Sequence, residues 1–198
     1  MICYFSKNNT FDSIIVTILF LMTTIIKATI EDSERLVKLG KQTFIESHGK
    51  SASINDINNY VESKFSNHVF DAELRDSNNV YHILFQNNKP IGYSKIIYNV
   101  AQDNVHFKNV TKLERLYVLQ EFHHLKLGLE LFNFIARKSK NKQQSGMWLY
   151  TWTENHKAIK FYKKAGFKII GKYDFTISKT HSNPNHQMLL EYEPDQAL

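Results

Sequence analysis

The pattern of apolar and polar residues predicts seven β-strands spread over most of the chain. In each segment apolar residues alternate with polar ones or run together over a strand-like length, and turn residues or helical patterns separate the segments. Asn87 and Asn88 tolerate the left-handed backbone of a tight turn, so the second and third strands are expected to form an antiparallel hairpin. The seven segments are residues 23–29, 80–86, 90–100, 111–119, 146–152, 167–177 and 186–193.

Apolar residues at helical spacing predict helices between these strands. Ser53, followed three residues later by Asp56, resembles a capping box that opens the second of them. Strand, helix, strand and helix follow one another after residue 110, and this order predicts an α+β fold. The helical segments are residues 33–47, 54–65, 70–76, 127–140 and 155–165.

The last helix, in NHKAIKFYKKAGF, has the most complete local signals. Asn155 is a good N-cap, and Gly166 is placed to end the helix in a left-handed conformation. Packing explains Phe161 completely but Tyr162 only in part, because a buried phenol also needs a hydrogen-bond partner or a cleft to reach into. With an ordinary pKa of about 10, the Tyr162 hydroxyl could give a proton to a leaving thiolate. The apolar stripe consists of Ala158, Phe161, Tyr162 and Ala165.

The turn after the fourth strand has the features of an anion site. A helix N-terminus presents free backbone N–H groups and the positive end of the helix dipole, and Gly128 would let a ligand approach the backbone closely. A pyrophosphate would fit at residues 123–129. The adjacent His123 and His124 also suggest a metal site. No metal is expected, because adjacent side chains point apart and no carboxylate or cysteine lies at ligand spacing.

Composition and charge favour one globular domain with an anionic partner. The 198 residues are 42% hydrophobic and 22% charged, with a net charge of +6 and a single cysteine, Cys3, which fits a reducing compartment. Residues 131–172 contain ten basic side chains and one acid, whereas residues 31–80 contain nine acids and six bases. One interpretation is that these charges lie on solvated helix faces. The other is that the basic half of the chain binds an anionic cofactor and the acidic half binds a cationic substrate.

The N-terminal segment allows three interpretations. The apolar run of residues 14–26 has thirteen residues, fewer than the roughly 20 needed to span a bilayer. A signal peptide would need a better cleavage site than Ala28-Thr29-Ile30. We favour an internal start at Met22, so that residues 1–21 are an extension and residues 22–198 form the domain. The chain is then expected to be cytoplasmic, with no membrane partner.

Several of these motifs together resemble the GNAT superfamily of acetyl-CoA-dependent N-acetyltransferases. The resemblance covers residues 22–193 and is carried by LERLYVLQEF, HHLKLG, WLYTWTEN and NHKAIKFYKKAGF. The run LVKLGKQTFIESHG and the strand LERLYV further resemble the bacterial PaiA-type spermidine/spermine acetyltransferases. The resemblance implies a mixed, mostly antiparallel, twisted sheet of about seven strands flanked by about four helices. It also implies acetyl-CoA as co-substrate, and a homodimer is possible.

The resemblance assigns residues to the cofactor. The family's loop, Gln/Arg-x-x-Gly-x-Gly/Ala, falls on His123 to Gly128, with His123 in place of Gln/Arg and Lys126 in place of the first glycine. Tyr162 would be the general acid, and Glu114 is a candidate base that could instead be a surface or strand-pairing carboxylate. The pantetheine arm would bind the backbone of Leu116, Tyr117 and Val118. The remaining cofactor contacts would be His124, Leu125, Lys126, Leu127, Gly128, Leu129, Asn155 and Tyr162.

The implied reaction is direct transfer of acetyl from acetyl-CoA to a primary amine in a ternary complex. A polyamine such as spermidine would suit the acidic first third of the chain. Other acceptors stay open, namely an amino sugar, an amino acid or a protein N-terminus, and so does a non-catalytic CoA-binding module. Nucleic-acid binding is not expected, because no recognisable module is present and the basic residues follow helix faces.

Overall fold

The structure is a computed structural model that describes residues 22–193. Its seven strands form one sheet in the order β1-β2-β3-β4-β5-β7-β6. All neighbouring strands are antiparallel except β4 and β5, which are parallel. The strands are β1 (Thr23–Lys27), β2 (Asn79–Gln86), β3 (Lys89–Ile97), β4 (Val110–Val118), β5 (Gly146–Trp152), β6 (Lys168–Thr176) and β7 (Ser182–Glu191).

Within residues 22–193, five α-helices flank this sheet, as the five helical segments of the sequence predicted, whereas the family resemblance implied about four. Two short 3-10 helices, Ile30–Asp32 and Gln120–Leu125, precede α1 and α4. The predicted α+β class and the mostly antiparallel sheet of seven strands are therefore confirmed. The α-helices are α1 (Ser33–His48), α2 (Ile54–Lys64), α3 (Asn67–Arg75), α4 (Leu127–Asn141) and α5 (His156–Lys164). The proposed extension, residues 1–21, lies outside the described residues, and no helix within residues 22–193 is long and apolar enough to cross a membrane.

Local side-chain chemistry explains where most elements begin and end. Ser53 accepts a hydrogen bond from the Asp56 N–H at 3.2 Å, and Asn155 accepts one from the Ala158 N–H at 3.1 Å, so both predicted N-caps are present. Gly166 has a φ of 97°, the left-handed conformation expected after α5. In the β2–β3 turn, Asn87 and Asn88 have φ values of 49° and 62°.

Two elements begin three or four residues before their predicted starts, residues 70 and 186. Helix α3 begins at Asn67 because the Ser66 hydroxyl caps it, accepting from the Val69 N–H at 3.4 Å. Strand β7 begins at Ser182 rather than at residue 186. The intervening Asn-Pro-Asn sequence is typical of a turn, but Pro184 still pairs with β6 and its carbonyl accepts from the Thr153 N–H at 3.0 Å.

The helices cover opposite faces of the sheet. Ile83 is buried in the cluster that includes Leu36 and Phe44 of α1, whereas its neighbour Leu84 is buried in the cluster that includes Leu131 of α4. Adjacent residues of a strand point to opposite faces, so α1 and α4 lie on different sides of the sheet. Helix α5 lies on the α4 side, since Tyr162 shares a buried cluster with Phe132 and Ile135 of α4.

The charged side chains support solvated and locally paired roles. All ten basic residues of the 131–172 segment are exposed. In the acidic segment, Asp32 pairs with Arg35, Glu62 pairs with Lys41 at 2.7 Å, and the Glu73 carboxylate lies 3.0 Å from the buried Lys95. The excess of acids in the first third therefore includes several carboxylates that stabilise local structure.

Candidate active site

Strands β4 and β5 separate soon after they begin. They pair only at Val110–Gly146, Thr111–Met147 and Lys112–Trp148. Strand β4 nevertheless stays paired with β3 as far as Val118, and β5 stays paired with β7 as far as Trp152. The two parallel strands thus remain in the sheet while moving apart, and the space between their carboxyl ends is a cleft.

The backbone of β4 presents two residues to this cleft. The Leu119 N–H donates to the Ile91 carbonyl of the β3 edge at 2.8 Å. Antiparallel strands alternate their hydrogen-bonding direction, so Tyr117 also faces β3, whereas Leu116 and Val118 face away from it. The backbone groups of Leu116 and Val118 therefore face the cleft, whereas those of Tyr117 face β3.

Glu114 occupies a β-bulge and is held by two lysines. The register shifts so that Lys95 pairs with Arg115 and Ile96 with Leu113, which leaves Glu114 as the extra residue. Its carboxylate lies 2.9 Å from Lys95 Nζ and 3.0 Å from Lys112 Nζ. Burial alone would raise the pKa of Glu114, but the two ammonium groups outweigh it and lower that pKa to about 2. This environment favours a structural ion pair over the role of general base.

The start of α4 has the geometry of an anion site. Lys126, the residue in place of the family's first glycine, has a φ of 58° and a ψ of 16°, which is the left-handed region that glycine adopts easily. Among the described residues, the N–H groups of Leu127 and Gly128 have no hydrogen-bond acceptor. A Cβ added to Gly128 would meet only Val118 Cγ2, at 3.9 Å, so open space lies beside this backbone. The residues present therefore fit a phosphate group.

The other predicted loop residues lie around this turn. His123 donates from Nε2 to the Val118 carbonyl at 2.8 Å and so ties the 3-10 helix to the end of β4. His124 is exposed in the same 3-10 helix, and Leu125 packs against the same apolar cluster as Val118. Leu129 is 42% exposed on the first turn of α4. Among residues 22–193, no group of three His, Cys, Asp or Glu side chains could hold a metal ion.

Tyr162 lies where both strands border the cleft. It is 9% exposed and belongs to the cluster that contains Leu149 of β5 and the partly buried Leu116 of β4. Burial raises the pKa of Tyr162, and the nearby Tyr117 phenol on β4 raises it further. The raised pKa keeps the phenol protonated at pH 7, and among the described residues its hydroxyl has no hydrogen-bond partner, so the O–H is free to donate. Asn155, about two turns before Tyr162 along α5, uses its Oδ1 as the cap of that helix and keeps its Nδ2 available.

An aromatic wall on the α1 side of the cleft was missed in the sequence. His48 stacks on Phe44 with ring centroids 4.7 Å apart, and its ring lies 6.4 Å from that of Tyr117 and 6.0 Å from that of Trp152. His48 thus touches both strands beyond the point where they separate. In the sequence, the only sign of its importance was its position at the predicted end of α1, directly before a glycine. Only the tertiary fold shows that this helix end lies beside the cleft.

Comparison with known proteins agrees with this geometry. Residues 45–167, more than half of the chain, match the model of the acetyltransferase (GNAT) family. The chain belongs to the GNAT family. It is 25% identical over 153 residues, 77% of the chain and 88% of the relative, to an uncharacterised N-acetyltransferase of Lactobacillus delbrueckii subsp. lactis. It is 28% identical over 149 residues, 72% of the chain and 86% of the relative, to a spermidine N(1)-acetyltransferase of Thermoplasma acidophilum.

Solved structures show the same fold. The PaiA N-acetyltransferase of Thermoplasma acidophilum, in complex with coenzyme A, superposes with a TM-score of 0.70 at 23% identity, covering 87% of this chain and all of that one. As a GNAT protein, the chain is an acetyl-CoA-dependent N-acetyltransferase. At the position where the family's loop has its first glycine, Lys126 has a left-handed backbone with a φ of 58°.

Proposed function

We propose that the protein transfers the acetyl group of acetyl-CoA to a primary amine by direct attack within a ternary complex, and that a polyamine such as spermidine is its acceptor. One observation carries the transfer mechanism: the separated edge of β4, the free N–H groups of α4 and the phenol of Tyr162 converge on a single cleft. Holding both reactants there removes much of the entropic barrier to their reaction.

Each residue of the cleft has a separate role in the proposed reaction. The N–H groups of Leu127 and Gly128 would bind the pyrophosphate of the cofactor, and the cleft-facing backbone of Leu116 and Val118 would bind its pantetheine arm. When bound, acetyl-CoA supplies the activated acetyl carbon. The Val118 N–H would stabilise the negative charge that develops on the thioester oxygen. Tyr162 would donate its proton to the departing sulfur.

Two observations support a polyamine as the acceptor. The spermidine acetyltransferase of Thermoplasma is a relative along 72% of the chain. The α1 side of the cleft is aromatic, because the His48 ring lies beside both Tyr117 and Trp152, and aromatic faces attract alkylammonium groups. The acidic segment adds little to this argument, since Glu62 and Glu73 are already paired with basic side chains.

An acceptor panel tests the proposal directly. Thiol release from acetyl-CoA is measured with spermidine, an amino sugar, an amino acid and a peptide with a free N-terminus, and the product is identified by mass spectrometry. Spermidine acetylation at the highest kcat/KM supports the proposal. A clear preference for another acceptor overturns the polyamine assignment, and the absence of turnover with every primary amine overturns the transfer mechanism.

Tyr162→Phe tests the acid. Because the hydroxyl has no partner among the described residues, the variant should keep its fold and its affinity for acetyl-CoA, while kcat falls by roughly 100-fold or more. Tyr98→Phe is a matched control, since Tyr98 packs against the same cluster and burial also raises its pKa. Equal rates for the two variants would show that the Tyr162 hydroxyl is not the acid.

A further inference from the structure

The two faces of the sheet give the reactants separate entrances to the cleft. The anion site belongs to α4 and Tyr162 to α5, and both helices cover one face. Helix α1 covers the opposite face, and its last residue, His48, contacts Tyr117 of β4 and Trp152 of β5. A cofactor held by α4 would leave the α1 side to the second reactant, and His48 and the neighbouring Tyr117 are titratable side chains on that side.

Hydrogen bonding fixes the tautomer of this histidine. The Ser47 hydroxyl lies 2.7 Å from the Thr43 carbonyl and 2.7 Å from His48 Nδ1. A hydroxyl has one proton, and a carbonyl can only accept, so Ser47 donates to Thr43 and accepts from Nδ1–H. The neutral ring therefore carries its proton on Nδ1 and has its lone pair on Nε2.

The Nε2 atom is free to accept a proton from a ligand. Among the described residues it has no hydrogen-bond partner, and it is not one of the fully enclosed polar atoms that lack one. The side chain is only partly buried, which leaves an edge of the ring accessible. The stacked Phe44 ring and the tilted Trp152 ring would stabilise the positive charge of an imidazolium.

We propose that His48 is a catalytic residue whose Nε2 accepts a hydrogen bond from the acceptor amine and then receives its proton. This inference rests on the proposed transfer to a primary amine. As the bond forms between the amine nitrogen and the acetyl carbon, the carbon–sulfur bond breaks. The surplus proton of the nitrogen passes to His48 Nε2, and the sulfur takes the proton of the Tyr162 hydroxyl. Exchange with solvent then restores the neutral imidazole and the phenol.

The surroundings of His48 keep it in the accepting form. Burial lowers the pKa of His48 to about 4, and no charged side chain contributes to that shift. The titratable side chains among its aromatic neighbours are phenols: Tyr117 on β4, whose ring lies beside that of His48, and, beyond Phe44, Tyr60 on α2. Burial raises the pKa of both phenols, so they too stay neutral at pH 7. The imidazole is thus unprotonated over the whole physiological range.

Kinetics of a matched pair of variants test this role. His48→Gln removes the basic nitrogen, and His82→Gln is the control. His82 is 3% exposed, and burial, with minor help from two lysines, also lowers its pKa to about 4, but it packs against Phe134 of α4, away from the α1 face. We expect kcat of His48→Gln to fall at least 100-fold, with the affinity for acetyl-CoA unchanged by calorimetry, and kcat of His82→Gln to stay within about threefold. Equal kcat values for the two variants would overturn the proposal.

Nitrogen NMR of the wild-type protein tests the proposed role of His48 without measuring enzyme activity. The His48 ring should show Nδ1 protonated and Nε2 unprotonated at pH 7, and spermidine added with the non-reactive cofactor CoA should shift the Nε2 resonance. A proton on Nε2, or a resonance that does not respond to the amine, would contradict the proposal even if the His48 variants do not fold. A wild type that acetylates no primary amine would instead refute the proposed function, so the two failures are distinguishable.

Discussion

Gly128→Ala should make the fold slightly more stable and the cofactor much less tightly bound. The added Cβ meets no protein atom closer than Val118 Cγ2 at 3.9 Å, an ordinary van der Waals distance. Gly128 is the second residue of α4, and replacing a helical glycine with alanine contributes roughly 0.5 kcal/mol to stability. In a chain of this length that gain corresponds to a rise in melting temperature of about 1–2 °C.

The same methyl group would occupy the space assigned to the pyrophosphate. A phosphate pushed away from the Gly128 N–H would lose a hydrogen bond to a charged group, which is worth about 1.5–3 kcal/mol. The dissociation constant for CoA should therefore rise by roughly 10- to 100-fold.

Calorimetric titration with CoA and thermal unfolding are the two assays. Asn133→Ala is the control, because Asn133 is exposed further along α4 and should gain helix stability without touching the cofactor. Unchanged CoA affinity in Gly128→Ala would refute the placement of the phosphates. A large drop in melting temperature would refute the open space beside this residue.

Two further changes probe the loop and the bulge. Lys126→Gly removes the steric strain of a non-glycine residue at φ 58°. It should raise the free energy of unfolding, measured by chemical denaturation, by about 1 kcal/mol. A loss of stability would show that contacts of the Lys126 side chain matter more than the backbone strain. Glu114→Gln removes a carboxylate whose pKa is about 2 when folded, so its ion pairs stabilise the protein above the unfolded pKa of about 4.3 and are lost as the pH falls toward 2. The stability gap between wild type and this variant should therefore narrow between pH 5 and pH 2; a constant gap would mean that these ion pairs do not stabilise the fold.

The elements predicted best are those with dense local signals. Strand β5 has the predicted bounds, and α5 begins and ends where Asn155 and Gly166 direct it. These signals act within one or two turns of chain, so the sequence contains all of the information needed to read them. Strand β7 was predicted too short because its first residues are turn-like, and only pairing with β6 makes them extended.

Residues whose role depends on distant contacts could not be predicted. The sequence left Glu114 either as a base beside the cleft or as a surface or strand-pairing carboxylate, and only the shift in strand register places it between Lys95 and Lys112. No sequence motif marked His48. Its proposed role depends on contacts with Tyr117 and Trp152, which lie more than sixty residues away along the chain. Such positions depend on sheet register and helix packing, which local patterns do not encode.

The short seam between β4 and β5 has a mechanical consequence. Three residue pairs at one corner join the half-sheet β1–β4 to the half-sheet β5–β7, and α4 packs against β3, β4 and β5 across that seam. We therefore expect any motion of the two halves to occur about this corner, limited by the packing of α4 across it. Substrates that bridge the gap would stiffen the whole molecule, so the empty enzyme should exchange its amide protons fastest along the unpaired edges.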